Sequence, residues 1–242
     1  MAITDKLAAV ADAIRGKTGK AEKMTLDQMP VEIESIQTGG GDLKALVART
    51  ITELKDNQVT HVGNSALRNC TVLTSVDLPN VTSSDMYAFA GCTALASVNL
   101  PLIQTVHQYC FDHCTSLEEV VLPYAVNINN AGFQYCSKLK KIDTSVLRNL
   151  RLTSVSYCSA LTMLILRNEE AVCILQDVEL RGTPIAAGTG YIYVPRALLS
   201  DDDATKDYRR ATNWSNFASQ FRALEDYTVD GTVTGELDES KI

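Results

Sequence analysis

The segment HQYCFDHC, residues 107–114, is the stretch of the chain whose residue types could bind a metal. His107, Cys110, His113 and Cys114 would offer imidazole and thiolate ligands of the kind that Zn²⁺ takes. However, this segment belongs to a sequence repeat, and the positions of its cysteines within the repeat argue against a metal site. Cys114 stands where every other copy of the pattern has cysteine, and Cys110 stands where other copies have Ala or Gly. We therefore expect neither a metal site nor a bound cofactor.

Two further segments resemble ligand-binding motifs only in part. Residues 15–20, RGKTGK, look like the end of a phosphate-binding loop, but the first glycine of that motif would fall on Ala11. The aspartates at 201–203 lack the spaced oxygen ligands of a calcium loop and would instead favour the start of a following helix. Neither segment predicts a binding site.

Catalytic residues are also not predicted. The chain has only three histidines, its serines fall on turns without a paired base, and the pattern brings no two carboxylates into one pocket. We therefore expect that the protein is not an enzyme.

The elements that would position these residues repeat with a period of 22 residues. The phrase GCTALASVNLP from Gly91 has relatives that begin at Asn69, His113, Tyr135 and Tyr157. Self-similarity at a fixed period predicts a solenoid whose coils bury a continuous core by stacking. The predicted core rows are Cys70, Cys92, Cys114, Cys136 and Cys158; Leu73, Leu95, Leu117, Leu139 and Leu161; and Phe89, Phe111 and Phe133.

Each unit combines a short strand with turns. Leu95, Val98 and Leu100 end in an every-second-residue pattern, and Pro101 stops the strand. Cysteine behaves as a small apolar residue at its inward position, so we expect a ladder of buried, reduced thiols. A disulfide is not excluded by distance, because equivalent residues on adjacent coils lie about 5 Å apart.

The unit LPNVTSSDMYAFAGCTALASVNLP, residues 78–101, resembles the BspA-type leucine-rich repeat. The resemblance covers residues 57–167 and weakens in the later coils, where Thr144 and Ser145 replace Leu-Pro. It implies an α/β repeat solenoid with short parallel strands on one face and turns or short helical segments on the other.

Further segments are predicted before and after this repeat array. Residues 1–37 predict a helical attachment or oligomerisation segment, and residues 38–41 a glycine-rich hinge. Residues 42–195 form the solenoid, beginning with a helix or with irregular first coils. Residues 196–242 form a C-terminal cap: a helix containing Tyr208, a turn that leads into a second helix, Trp214 sealing the core, and a tail that is a hairpin or an extended arm. The strand YIYVP, residues 191–195, is predicted to be the last of the array.

Charge and hydropathy exclude several classes of partner. The net charge is −7 and the basic residues are scattered, which argues against nucleic-acid binding. No segment has the roughly 18 consecutive apolar residues of a membrane helix, and no secretory signal is visible. We therefore expect the protein to be made in the cytoplasm.

The opening segment KLAAVADAIRGKTGKAEKMTLDQMPVEIESI, residues 6–36, resembles the N-terminal segments of phage and prophage structural proteins, especially tail-associated ones, from Gram-positive hosts. The tail DGTVTGELD, residues 230–238, resembles them too, and the location that this resemblance implies is a virion assembled in the host cytoplasm. This resemblance implies a homo-oligomeric virion protein whose helices bind other virion proteins and whose solenoid binds a host cell-surface glycan or protein. The alternatives are a bacterial repeat adhesin or interaction protein, and a structural decoration protein without a ligand. The predicted contact residues are Asp85, Tyr87, His107, Gln108, Asn129, Asn130 and Gln134.

Overall fold

A computed structural model describes residues 51–176, 180–199, 206–229 and 232–236. The predicted N-terminal helices and hinge, and the three aspartates at 201–203, lie outside these residues.

Strands of two kinds alternate along the described chain, and they are numbered here in chain order. The long strands are β1 (Glu53–Lys55), β3 (Ser75–Asp77), β5 (Ser97–Asn99), β7 (Glu119–Leu122), β9 (Lys141–Thr144), β11 (Met163–Leu166), β13 (Tyr191–Val194) and β14 (Phe221–Ala223). The short strands are β2 (His61–Val62), β4 (Ser83–Ser84), β6 (Thr105–Val106), β8 (Asn127–Ile128), β10 (Asn149–Leu150) and β12 (Ile174–Leu175). A final pair, β15 (Thr228–Val229) and β16 (Thr232–Val233), follows them.

Both kinds of strand stack in parallel, which confirms the predicted solenoid. The long strands pair in the orders β1-β3-β5 and β7-β9-β11-β13-β14, and the short strands pair in the order β2-β4-β6-β8-β10-β12. Val76 pairs with Val98, and Val120 with Ile142, so the register of the strands equals the sequence repeat of 22 residues. Each identical position therefore forms a row along the solenoid.

The core consists of these rows. Phe89, Phe111 and Phe133 stack with ring centroids 4.9 and 5.1 Å apart, and all three are buried. The five predicted leucines are fully buried as well. Because each coil has inward side chains on both of its strands, the core lies between the two faces and continues from coil to coil.

The cysteine row is buried, and its thiols bond to the backbone of the previous coil. Cys114 Sγ donates to Phe89 O at 3.3 Å, and Cys136 Sγ donates to Phe111 O at 3.1 Å. Burial raises the pKa of the Cys92 thiol to about 12 and that of Cys136 well above its usual value. None of the cysteines forms a disulfide within the part of the chain that the structure describes.

Turns, not helices, connect each short strand to the next long strand. The described residues contain no α-helix; the only helical segments among them are the 3₁₀ turns Arg196–Leu198, Trp214–Gln220 and Leu224–Tyr227. The N–H groups of Tyr87, Phe89 and Gly91 donate forward to carbonyls of the following coil. Because these donors are used between coils, they cannot form the bonds within one segment that a helix requires.

The C-terminal end differs from the prediction in two ways. Strand β13 is not the last, because β14 pairs with it in parallel. Tyr208 lies in a turn, and Asn213 has a φ of 67°, a left-handed conformation that interrupts any helix before Trp214. The predicted helix does not form here because the side chains of Asn213 and Trp214 donate hydrogen bonds to carbonyls of strand β12 and of the residue before it.

Those bonds replace a missing short strand. In the array, Ile174 N–H and Gln176 N–H donate to the carbonyls of Arg148 and Leu150. After β12, the matching carbonyls accept from side chains: Trp214 Nε1 donates to Cys173 O, and Asn213 Nδ2 donates to Leu175 O at 2.7 Å. The end of the short-strand sheet is therefore closed by side-chain donors.

The hairpin β15-β16 covers part of the outer surface of the long strands. Val233 packs with Ile165 and Tyr193, which are buried although they point away from the main core. The sequence left a hairpin and an extended arm as alternatives for this tail, and the structure shows the antiparallel pair.

Candidate functional site

The turns between each short strand and the next cysteine lie side by side on successive coils. We call this surface the turn face and define it by residues 85–91, 107–113, 129–135 and 151–157. All seven predicted contact residues lie on it, and each is half-buried: Asp85, Tyr87, His107, Gln108, Asn129, Asn130 and Gln134. The solenoid thus brings together residues that are up to 49 positions apart in the sequence.

One row of the turn face consists of Tyr87 and Tyr109, which we call the first aromatic row. Their rings are stacked with centroids 4.9 Å apart and planes 1° apart. The guanidinium of Arg68 lies over the other face of Tyr87, 4.7 Å from its centroid. Both tyrosines have a left-handed backbone, with φ values of 58° and 56°, because the turn is the same in each coil.

A second aromatic row runs through the residues that directly precede the cysteines. His113 and Tyr135 have centroids 4.5 Å apart, and Tyr135 and Tyr157 are stacked at 4.9 Å. These side chains are accessible: Tyr135 is 38% exposed and Tyr157 is 37% exposed. His113 Nδ1 also lies 2.9 Å from a carboxylate oxygen of Asp112.

Glycines make room at both ends of the second row. Gly91 has a φ of 73°, and a Cβ there would lie 2.3 Å from Asn69 Oδ1, so the Asn69 side chain occupies that space. Gly182 has a φ of 70°, and a Cβ there would lie 2.8 Å from the Tyr157 ring. Each row residue therefore lies against the following coil, which fixes its orientation before any partner binds.

Sequence reasoning found only Tyr87 among these aromatic residues. His113 enters the sequence analysis as a candidate metal ligand and as the start of a repeat phrase, and Tyr135 and Tyr157 only as the first residues of repeat phrases, whereas Tyr109 is given no role there. The signal was present, because aligning the units by their cysteines places His113, Tyr135 and Tyr157 in one column.

A serine, a histidine and an aspartate meet on the short-strand face. His61 Nδ1 lies 2.8 Å from Ser83 Oγ, and His61 Nε2 lies 3.2 Å from Asp85 Oδ2. The prediction that no serine has a paired base was therefore wrong. The partners are 22 and 24 residues apart, so only the stacking of coils joins them.

For acyl transfer, this cluster would need backbone N–H groups that are free to bind an oxyanion beside Ser83. The backbone N–H groups of Thr82 and Asp85 already donate to the carbonyls of Thr60 and Val62 at 3.0 and 2.8 Å. Neither can stabilise an oxyanion beside Ser83. The arrangement instead links two coils by side-chain hydrogen bonds.

The same face continues as a polar row. Asn149 Nδ2 donates to Asn127 Oδ1 at 2.7 Å, and Asn127 Nδ2 is 3.4 Å from Thr105 Oγ1. These contacts repeat between coils in the register of the strands and so add side-chain bonds to the backbone ladder.

The residues of the segment HQYCFDHC do not converge on a point. Cys110 and Cys114 are buried in the core, whereas His113 is directed to Asp112 and Tyr135 at the surface. Within the described ranges, no group of three or more His, Cys, Asp or Glu side chains is placed to hold a metal ion.

Ion pairs are concentrated on the outer surface of the long strands. Glu119 lies 2.6 Å from Lys141, and Arg167 donates two bonds to Asp143 at 2.7 and 2.8 Å. These bonds raise the pKa of Arg167. Charges here are largely neutralised between neighbouring coils, whereas the turn face is distinguished by its stacked aromatic rings.

Comparison with known proteins agrees with this architecture. Residues 49–164 match the BspA type leucine rich repeat region in six copies. No curated protein matches the sequence. Among the helices of the described residues, none is long and apolar enough to cross a membrane.

Solved structures that resemble the chain include the following three. The pneumococcal vaccine antigen PcpA is 12% identical, with a TM-score of 0.50 over 72% of this chain and 40% of that one. A leucine rich cell surface protein of Faecalibacterium prausnitzii A2-165 is 24% identical, with a TM-score of 0.46 over 50% and 33%. The leucine rich repeat protein TpLRR of T. pallidum is 26% identical, with a TM-score of 0.42 over 45% and 53%. The chain thus spans between 33% and 53% of the length of these proteins.

Proposed function

Because residues 49–164 match the BspA type leucine rich repeat region, we propose that this is a non-catalytic interaction protein that binds a partner protein through its turn face. Repeat solenoids present extended surfaces whose recurrent use is binding. The observation that carries the proposal is the second aromatic row, where Tyr135 and Tyr157 are stacked, oriented and still more than a third exposed.

The chemistry of the two aromatic rows is that of a protein interface. Tyrosine and arginine are enriched where proteins bind each other, because they offer large contact area together with hydrogen-bonding groups. Stacking still leaves Tyr135 and Tyr157 more than a third exposed. It also restricts the rings in advance, so less side-chain entropy is lost on binding.

The setting that we propose is a bacterial surface or interaction protein. The family match falls on a repeat region, and the chain shares its fold with the pneumococcal vaccine antigen PcpA. The virion role stays a prediction, because the opening segment on which it mainly rests lies outside both the matched and the described residues. Detection of the protein by mass spectrometry in purified phage particles would restore that role; detection in the bacterial envelope fraction supports the setting proposed here.

The binding proposal is tested by site-specific photo-crosslinking of the full chain in its native cells. A photoreactive phenylalanine analogue at Tyr135 or Tyr157 is expected to crosslink one protein, which is then purified for affinity measurement. The control carries the analogue at Ile174, which is 59% exposed on the short-strand face.

The affinity measurement decides the outcome. The double variant Tyr135→Ala, Tyr157→Ala is expected to bind the purified partner at least about tenfold more weakly, as for residues central to an interface. Equal crosslinking at 135 and 174, or an unchanged affinity of the double variant, would show that the turn face is not the binding surface.

A further inference from the structure

A cavity of about 400 Å³ that is lined by arginines lies in the C-terminal cap. Arg196 follows strand β13, Arg222 lies on strand β14, and Arg209 lies in a turn between these two strands. Leu199 and Phe221 form part of the apolar wall. We call this space the arginine cavity. Its volume is in the range of sites that hold small molecules.

The charges that line the arginine cavity are not balanced. Asp226 is the acidic residue of the lining, against three arginines, and it is paired with Arg196. The carboxylate of the neighbouring Glu225 accepts from the backbone N–H of Arg196 at 3.0 and 3.1 Å. Arg209 and Arg222 donate to backbone carbonyls and form no ion pair within the part of the chain that the structure describes. Two positive charges of the lining therefore have no negative partner among these residues.

Arg222 is held in one orientation by its surroundings. Its Nη1 donates to the carbonyls of Ser219 and Phe221 at 2.9 and 2.8 Å, and its guanidinium lies over the Tyr191 ring, 4.1 Å from the centroid. Because a guanidinium has five N–H donors in a planar fork, Nε and Nη2 remain for a further acceptor. Little side-chain entropy is then lost when an anion binds to this group.

Arg209 supplies further donors to the same cavity. Its Nη1 donates to Leu199 O at 3.3 Å, and the rest of its fork carries additional N–H groups. Such forks match the paired oxygens of carboxylate and phosphate groups, and these charge-assisted bonds are about twice as strong as neutral ones. In the array, by contrast, Lys141 and Arg167 are paired with carboxylates of neighbouring coils. The arginine cavity is thus a positive site in a chain whose net charge is −7.

We propose that the arginine cavity binds a small anion whose carboxylate or phosphate oxygens accept hydrogen bonds from Arg209 and Arg222. Asp226 limits the affinity, because its carboxylate occupies the Arg196 guanidinium and repels a second negative charge. This inference goes beyond the proposed function, since the arginine cavity shares no residue with the turn face.

The first experiment detects the anion at the arginine side chains by NMR. The full chain, labelled with nitrogen-15 arginine, is titrated at neutral pH with sodium phosphate or with sodium succinate, at constant ionic strength. The Nε–H signals of Arg209 and Arg222 are expected to shift and to saturate below about 20 mM anion. Arg148 is the internal control, because it lies on the array and is paired with Glu170. The anion that saturates the shift at the lower concentration identifies which group the cavity prefers.

Substitutions then test the two donors. Arg209→Gln and Arg222→Gln are each expected to weaken binding of the preferred anion at least about tenfold, because each removes charged donors. Arg222→Lys keeps the charge but loses the planar fork, so it should weaken binding as well. Arg148→Gln is the matched control and should leave the affinity unchanged. Circular dichroism checks that each variant is folded. If Arg222→Gln is not, Arg209→Gln decides, because Arg209 is exposed.

Asp226→Asn tests the arginine cavity with the opposite sign. The substitution removes the negative charge and frees the Arg196 guanidinium, so the preferred anion is expected to bind about two- to fivefold more tightly. Arginines that only stabilise the cap predict no gain from this substitution. An unchanged or weaker affinity would therefore overturn anion binding in competition with Asp226.

Two further results would overturn the proposal. One is the absence of a saturable shift with either anion. The other is equal weakening by Arg148→Gln and Arg209→Gln, which would show diffuse attraction to surface charge. Neither result concerns the crosslinking of a partner at Tyr135 and Tyr157, so failure of this inference is distinguishable from failure of the proposed function.

Discussion

The central coils and the C-terminal cap both pair the backbone hydrogen-bonding groups of the strands, but the coils pair them with other backbone groups and the cap pairs them with side chains. In the central coils, each strand is bonded to its neighbours by backbone groups in one register, and every coil repeats the same contacts. In the cap, Trp214 and Asn213 bond to the carbonyls of Cys173 and Leu175 with side chains. The array therefore distributes its stability over many similar contacts, whereas the cap depends on a few particular side chains.

The largest effect is expected for Trp214→Ala. Trp214 is fully buried and packs edge-on against Tyr208 and Phe221. Loss of the ring leaves a cavity and removes the donor for Cys173 O, and truncation of a buried large aromatic residue costs about 3–5 kcal/mol. Urea unfolding followed by circular dichroism measures the change in free energy of unfolding. A loss below about 1 kcal/mol would contradict a cap held by single side chains.

A smaller effect is expected for Asn213→Gly. Glycine tolerates the φ of 67° at this position, so the variant removes the amide without straining the backbone. The carbonyl of Leu175 then loses its donor, which costs about 1–3 kcal/mol where the group stays buried.

Thr115→Ala is the matched control within the array. Its hydroxyl donates to Thr93 O at 3.3 Å at an exposed position, where water can replace it. We expect a change within about 0.5 kcal/mol. Equal effects of Asn213→Gly and Thr115→Ala would remove the distinction between the two regions.

Thiol labelling compares local opening in the two regions. Burial raises the pKa of Cys92 in the central array, and of Cys173 where the cap covers the end of the array, to about 12, so neither reacts while its surroundings stay closed. If the cap opens more easily than the array, iodoacetamide labels Cys173 first. Peptide mass spectrometry after timed labelling gives the order. Labelling of Cys92 before Cys173 would mean that the central coils are the weaker region.

The smallest expected effect is that of thiol ionisation on the free energy of unfolding. It is negligible at neutral pH and grows at alkaline pH. The pKa of Cys92 is raised from 9.0 to about 12 on folding, so the unfolded chain loses this proton at lower pH than the folded chain. Its contribution to stability is complete below pH 9 and is lost as pH rises from 9 to 12. Unfolding free energies measured between pH 7 and 11 should fall only above about pH 9. If the free energy of unfolding begins to fall below pH 9, a titratable group other than the Cys92 thiol must be responsible.

Some of the fold and little of the site followed from the sequence. The column of cysteines at fixed spacing predicted the stacking of Phe89, Phe111 and Phe133, because a strict period leaves one way to align the coils. The seven predicted contact residues do lie on one face, but their role in binding stays a prediction. His61, Ser83 and Asp85 were not expected to meet, since no single unit contains all three.

The repeat, its register and its inward rows follow from the sequence alone, because every unit has the same spacing and the same apolar positions. The replacement of helices by turns, and the closure of the short-strand sheet by Trp214 and Asn213, are seen only in the folded chain. Those outcomes depend on hydrogen-bond donors and acceptors that meet across coils or across the irregular C-terminal segment. There the chain no longer repeats, so no period relates the partners.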